Sequence, residues 1–421
     1  MALQNLRRRS ILTGLIGSAT LLRERTFANE KSAATPLVGP KEKLRITKLE
    51  TFYVHPRWLF LKVHTDAGIV GLGDPTLENR TATCAAAVAE FGRNLIGKDP
   101  REVLTHWQAM YRGSSPYRSG PILTSAMSGI DQALWDIKGK ALGMPVWQLM
   151  GGPIRTTVKL YWDTLTDPPE RLKEKIREGF TAFKAGPLEY AWGNKSRSQL
   201  PPRNTPAFMS AVRENIAALR EAIGPARDFA FHIGEGSYRS CMELIRTVEP
   251  YHPIFFEIHG NNYEFDQMAE IARQTSVAIA TGEDVYTKWG FRPILMKGGA
   301  KILQPDCAHA GGITEVCKIA AMADAFDVEI APHNPLSPID LAAAVQVAAV
   351  IPNFFALETS DRGIGDPQLQ GWPESWRGVE ILKKPFQVVA GALPLPQEPG
   401  LGIELDESAL EKHRTDIPPD K

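Results

Sequence analysis

With 421 residues, 43% of them hydrophobic, the chain is long enough for about two domains of ordinary soluble type. Its 48 basic residues balance its 48 acidic ones and form no basic stripe, which argues against a nucleic-acid partner. Four cysteines (Cys84, Cys241, Cys307, Cys317) fall in no CxxC spacing, so small buried side chains are expected and a disulfide scaffold is not.

The N-terminus departs from the globular pattern. Arg7, Arg8 and Arg9 stand before the weakly apolar run SILTGLIGSATLL, and small residues follow near Ala28. This order is that of a twin-arginine export signal, with RRSIL in place of the usual twin arginine, spacer and hydrophobic pair. The run is too short to span a membrane. Export by this route moves folded proteins, which suits a periplasmic enzyme that takes up its cofactor before secretion. The alternative is a mis-assigned start ahead of a cytoplasmic enzyme. Residues 1–40 are set apart as signal and linker.

From Leu44 the pattern is strand-like. RITKLETFYV, WLFLKVHTD and IVGLGDP predict three antiparallel strands, with Asp66, Ala67 and Gly68 as the turn between the last two. Helices are predicted over residues 80–96, 101–111 and 122–141, the last strongly amphipathic and followed by Gly143 and Pro145. Residues 41–155 are expected to form an α+β capping domain.

Over residues 156–360, apolar runs recur and end in phase on polar residues: Tyr161, Lys184, His232, Glu257, Glu283, Asp306, His333 and Glu358. The steps between them are 23, 48, 25, 26, 23, 27 and 25 residues. The long step contains the polar, Pro-rich insertion GNKSRSQLPPRNTP, which one unit with a long loop explains better than a missing strand. Lys301 to Pro335 is the best-marked unit. Ile302 and Leu303 lead to Asp306, a Gly-Gly turn opens a helix over about residues 314–326, and a strand over 328–331 ends at His333. A polar cap on any one strand would need no function. Eight in phase are what a parallel TIM-like barrel, here (β/α)7β, presents when it builds a site on one rim. Beyond Glu358 the Gly/Pro/Trp-rich tail, residues 361–421, loses this rhythm and is expected to fold back on the cap and complete it.

The rim residues have a chemistry in common. His232, Glu257 and Glu283, from three neighbouring strand ends, suit a hard or borderline divalent cation. Lys184 and Tyr161 lie to one side of them, Asp306 and His333 to the other. Asp306 can fix the tautomer of the His333 imidazole and raise its basicity. A metal opposite an Asp-supported His is suited to removing a proton next to a carboxylate, with the cation stabilising the resulting enediolate.

Long stretches carry a resemblance to a known family: PRWLFLKVHTDAGIVGLGDP, YRSGPILTSAMSGIDQALWDIKGKALGMPVWQLMGG, ILQPDCAHAGGITE, APHNPLSPI and PGLGIELDE. From Leu44 to about Glu407 the chain resembles the enolase superfamily, mandelate racemase subgroup, and within it the sugar-acid dehydratases of galactonate dehydratase type. The resemblance implies an α+β cap on a modified barrel, with Mg²⁺ at the ends of barrel strands three to five. It implies that His333 and Asp306 take the proton from C2 of an aldonate, and that Glu358 meets the substrate carboxylate or the developing enolate. Cap loops around Arg57, Trp58 and Tyr117 are expected to close over the polyol end. The partners expected are a small sugar acid and further copies of the chain. The reaction implied is dehydration to a 2-keto-3-deoxy acid. Epimerisation or racemisation of an acid sugar is the alternative within enzymes, and a silent sugar-acid-binding relative with a decayed metal site is the alternative outside them.

The chain departs from that family inside the site. Its relatives end the third strand in Asp-x-His, where the Asp binds metal and the His protonates the departing hydroxyl. Here the residues are His232, Ile233 and Gly234. Either His232 replaces the metal-binding Asp, which admits Mn²⁺, Fe²⁺ or Zn²⁺, or a shifted alignment makes His232 the surviving acid and removes a ligand. The fourth strand's Glu-Glu-Pro reads Glu257, Ile258 and His259. Glu235 and His259 are candidate replacement acids. Gly186 stands where two-base racemases carry a second Lys, which argues against that chemistry. Tyr161 reads equally as a rim aromatic or an acid.

Overall fold

The structure, a computed structural model, describes residues 38–55, 57–113, 116–164, 169–188, 201–234, 236–259, 264–360, 381–416 and 418. The export-signal pattern, Glu235, most of the Pro-rich insertion and the Gly/Pro/Trp-rich start of the tail lie outside those residues. Among the described residues no helix is long and apolar enough to cross a membrane.

The N-terminal layer follows from alternating apolar residues. Strands β1 (Ile46–Val54), β2 (Trp58–Thr65) and β3 (Val70–Gly73) pair antiparallel, from Ile46↔Thr65 to Val54↔Trp58 and from Leu61↔Gly73 to His64↔Val70. Gly68, at φ 74°, takes the left-handed position of the turn between β2 and β3, which a side chain would strain. Helices Thr81–Leu95, Val103–Gly113 and Pro121–Leu142 cover one face, and their apolar stripes meet Leu61, Val63 and Ile69. The longest helix lies directly on β3. A Cβ at Gly73 would collide with the backbone carbonyl of Gly129, so only glycine permits that approach.

The barrel has a different rhythm. Parallel strands β4 (Thr157–Asp163), β5 (Ala182–Ala185), β6 (Asp228–Gly234), β7 (Phe255–Ile258), β8 (Ala278–Thr281), β9 (Ile302–Leu303), β10 (Glu329–Ile330) and β11 (Leu357–Thr359) pair in sequence order. β11 pairs back onto β4, and a parallel bridge between Ile330 and Phe354 joins the β10 end to the approach of β11. Helices alternate with these strands, among them Pro206–Ile223, Gly312–Asp324 and Pro338–Ala348. The strand expected over residues 328–331 pairs in register at Glu329 and Ile330, the Ala331 amide still donates to the Leu303 carbonyl at 2.9 Å, and the Val328 amide turns back to the Ala323 carbonyl at 3.1 Å. The tail touches both layers. β12 (Ala392–Pro394) pairs antiparallel with β4, while β13 (Arg414–Thr415) pairs antiparallel with β1.

Inside the barrel, period two separates two sets of side chains. Phe183, Phe229, Phe231, Phe256, Leu303 and Leu357 point outward into the shell packed under the helices. Ala182, Ala230, Phe255, Ala280, Ile302, Ala331 and Ala356 point inward and join Tyr161 in a small apolar plug. The plug closes the floor beneath the rim.

Candidate active site

Each rim residue sits where that inward row continues. Two residues beyond Ala182, Ala230, Phe255, Ala331 and Ala356 come Lys184, His232, Glu257, His333 and Glu358. The same step from Ile302 reaches Gln304 and then Asp306, and from Tyr161 it reaches Asp163. β8 breaks the phase. Gly282, at φ 132°, resets the backbone after Ala280 so that Glu283 turns inward.

Contacts run unbroken around the rim. The Tyr161 hydroxyl donates to Glu358 Oε2 at 3.3 Å, and Lys184 Nζ lies 2.6 Å from Glu358 Oε1. Lys184 also lies 3.2 Å from Glu257 Oε1 and 3.9 Å from Asp163 Oδ2. Glu257 is held further by Gln304 Nε2 at 2.7 Å and His232 Nδ1 at 2.7 Å. His259 stands between the two glutamates, its Nε2 at 3.6 Å from Glu257 Oε1 and 3.2 Å from Glu283 Oε2. Glu283 Oε2 reaches His333 Nε2 at 3.2 Å, and His333 Nδ1 pairs with Asp306 Oδ2 at 2.7 Å. The structure therefore brings together all eight strand-end residues singled out in the sequence. It adds Asp163, His259 and Gln304, each two residues from one of those eight. That spacing is the available signal, and of the three only His259 stands out in the sequence, as a candidate acid.

The charges are strongly interdependent. Burial raises the Glu257 carboxyl, but the charges of Lys184 and His232 outweigh it and hold the group well below its usual range. Glu358 is pushed up by burial despite Lys184. Burial, with the charges of Glu358 and Glu257, lifts the Tyr161 phenol well above its usual value, so this hydroxyl stays protonated and can donate to Glu358. Burial works to lower His333, yet the charges of Glu283 and Glu358 and the bond to Asp306 lift it to about 9. Glu283 is correspondingly drawn down to about 2, chiefly by His333 and His259 acting against burial.

The donor set fits a divalent cation. Ligand atoms of His232, Glu257 and His259 lie within 4.8 Å of one another. The His259 Nε2 atom is buried and makes no aligned hydrogen bond among the described residues, although two carboxylates face it. His232, His259 and Glu283 are also the open part of the rim, with side chains 19%, 21% and 21% exposed, whereas Lys184 and Glu358 are sealed at 1% and 0%.

The cap meets the barrel behind His333. Ser337 caps helix Pro338–Ala348 and donates to Asp74 Oδ2, just beyond β3. Asn334 Nδ2 donates to Asp340 Oδ2 at 2.7 Å, and Gln132 joins Asp340 to the Cys307 carbonyl. Of the residues expected over the substrate, Arg57 donates to the Pro335 carbonyl at 3.3 Å and lies 3.9 Å from Glu78. Trp58 is buried in the core and stacked on Phe60 at 5.6 Å, because it opens β2 and does not sit on a loop. Tyr117 is 84% exposed.

Comparison with known proteins fits this geometry. Residues 45–151 match the mandelate racemase / muconate lactonizing enzyme N-terminal domain, and residues 169–409 match the enolase C-terminal domain-like family. A D-galactonate dehydratase of Variovorax paradoxus (strain S110) is 42% identical over 388 residues, covering 90% of this chain and 96% of that protein. One from Cronobacter sakazakii (strain ATCC BAA-894) is 42% identical over 378 residues, covering 87% and 94%. Among solved structures, an enolase-superfamily member from Salmonella Typhimurium superposes with a TM-score of 0.78 at 28% identity, covering 88% of this chain and 98% of that one. The 3,6-anhydro-D-galactonate cycloisomerase from Zobellia galactanivorans gives 0.74 at 28% identity, covering 88% and 100%.

Proposed function

The chain belongs to the mandelate racemase / muconate lactonizing enzyme family of the enolase superfamily, and from that premise we propose how its rim works as a carbon–oxygen lyase on a sugar acid. The substrate class is an aldonate, galactonate-like, and the product a 2-keto-3-deoxy acid. The observation that carries this reading is the buried His333–Asp306 pair, 2.7 Å apart, with Nε2 facing the carboxylates at the barrel mouth.

His333 Nε2 takes the C2 proton, while the Asp306 carboxylate holds Nδ1–H and fixes the tautomer. The C3 hydroxyl leaves as water with one proton from solvent, and the resulting enol becomes the ketone by giving up its O–H proton and taking one at C3. The imidazole must be neutral to act as a base. Engaging Glu283 elsewhere removes the leading charge that holds the ring protonated. Glu358, braced by Lys184 and the Tyr161 hydroxyl, faces the substrate carboxylate. His232, Glu257 and Glu283 hold the divalent cation, Mg²⁺ by family habit, with Mn²⁺, Fe²⁺ or Zn²⁺ admitted by the imidazole. When bound, the ion supplies a Lewis acid that acidifies the proton next to the substrate carboxylate. Arg57, which donates to the Pro335 carbonyl beside the His333 turn, is the cap group proposed to meet the polyol.

A second reading, binding without turnover, has one observation in its favour. Gly234, at φ 70°, occupies the position where an acid for the departing hydroxyl is expected. The test is incubation of the full protein with an acid-sugar panel and Mg²⁺, Mn²⁺ or Zn²⁺ in turn. Keto-acid formation supports the lyase. Epimer formation supports the alternative enzyme, and saturable binding without product supports the silent relative.

Arg8 and Arg9 before the apolar run mark the chain for twin-arginine export. Replacing both with Lys is expected to leave it in the cytoplasm, and unchanged periplasmic recovery would count against that route. The expected assembly is a homo-oligomer, to be measured by light scattering.

A further inference from the structure

We propose that His259 is a metal ligand, so that the site holds its cation with two imidazoles, His232 and His259, beside Glu257, and is built for a transition-metal dication in place of Mg²⁺. The inference rests on reading this rim as a cation site and deepens it by adding a ligand and naming the class of ion. Three observations point the same way. Donor atoms of these three residues cluster within 4.8 Å. His259 Nε2 is buried and faces Glu283 Oε2 at 3.2 Å and Glu257 Oε1 at 3.6 Å, so imidazole and carboxylate donors converge on one spot. The two rings stand edge to face, centroids 4.5 Å apart and planes at 84°, so their nitrogens converge without stacking.

The placement follows from the strands. His259 continues the inward row of β7 two residues past Glu257, and His232 is the register partner of Glu257 on β6. Gly234, paired with Ile258 across a register shift, puts no side chain beside the His232 ring. Two imidazoles with the carboxylates of Glu257 and Glu283 are a mixed nitrogen and oxygen donor set that suits Mn²⁺, Fe²⁺, Co²⁺ or Zn²⁺. Mg²⁺ prefers oxygen ligands and gives up water reluctantly.

Later metals bind tightly to most nitrogen-containing sites. The deciding quantities are therefore the ligand atoms and how the preference shifts in variants. The full chain is stripped with a chelator and loaded with Mn²⁺ alone, and nitrogen couplings to the ion are counted by pulsed electron paramagnetic resonance. Zn²⁺ and Mg²⁺ affinities are measured by competition against a chromophoric chelator. Two imidazole nitrogens are expected in the native protein and one in His259→Ala, with Zn²⁺ affinity down at least ~10-fold. His259→Asp, which keeps a ligand at the position, should retain the fold and shift the Zn²⁺/Mg²⁺ ratio towards Mg²⁺. No nitrogen coupling, or a spectrum and affinities unchanged in both variants, overturns the proposal. Correct nitrogen counts without keto-acid formation would leave the ligand assignment standing and remove the lyase reading. Turnover with no nitrogen on the ion would do the reverse.

Discussion

The two sides of the rim are built differently. On one side, Asp306 is fully buried, accepts the Ala308 amide at 2.6 Å and binds His333 at 2.7 Å. Behind it the Asn334–Asp340 and Ser337–Asp74 contacts fasten the next turn of chain to the cap. On the other side, His232, His259 and Glu283 keep about a fifth of their side-chain surface open, and their contacts are to Glu257, His333 and one another. A base has to be aimed, and rigid surroundings do that. A group of ligands needs only convergent donors, so its residue types can change while the barrel stays the same. The open side is where His232, Gly234 and His259 lie, and the enclosed side is where the His333–Asp306 pair lies.

The largest expected effect is on the aimed side. His333→Asn should lower kcat by about 10²–10⁴-fold, the usual worth of a positioned acid–base group, with circular dichroism unchanged. Native turnover in that variant would break the comparison at its centre. Asp306→Asn should cost about 10–100-fold, because it disturbs the tautomer and orientation of the ring without removing it. A pH profile shifted with the loss separates this from simple misfolding.

Stability should show the same asymmetry. Asn334→Ala leaves the buried Asp340 carboxyl short of a donor and should cost about 1–3 kcal/mol in urea unfolding. His232→Ala, on the open side, should cost under about 1 kcal/mol in the stripped protein. Equal costs would mean that the two sides are equally constrained.

Asp74 gives a pH-dependent version of the test. Burial raises its carboxyl from the ordinary 3.8 to about 6, despite hydrogen bonds from Ser337 and Thr76. The folded state therefore binds this proton more tightly than the unfolded state does. Its contribution is full below about pH 4 and is lost as pH rises through about 6. Relative to Asp74→Asn, the native protein should lose about 1–3 kcal/mol between pH 4 and pH 7, because a tenfold difference in proton affinity is worth ~1.4 kcal/mol. A pH-independent difference would show that the carboxyl is not protonated in the fold.

Much of the barrel is legible in the sequence because its repeat is regular. A polar residue about every 25 positions, closing an apolar run, is enough to pick out Tyr161, Lys184, His232, Glu257, Glu283, Asp306, His333 and Glu358. Asp163, Gln304 and His259 obey the two-residue period equally well, but period two is hidden when a strand is apolar on both faces, as in FAFHIG and IFFEIH. Gly282 is opaque for another reason. It resets the phase of β8, and only the backbone shows that Glu283 then turns inward. Trp58 opens the strand-like run WLFLKVHTD and is also expected over the substrate, whereas its indole packs in the core against Phe60. The tail's pairing with β4 rests on three residues, too few for any period to show.

The measurement closest to the central claim follows galactonate by proton NMR in deuterium oxide, with the native protein and His333→Asn, each loaded with the same divalent ion. The native protein should convert the substrate to a 2-keto-3-deoxy acid with solvent deuterium at C3, and the variant should leave the C2–H and C3–O bonds intact. Conversion by the variant at the native rate, or a C2 epimer without loss of water from the native protein, would contradict that claim.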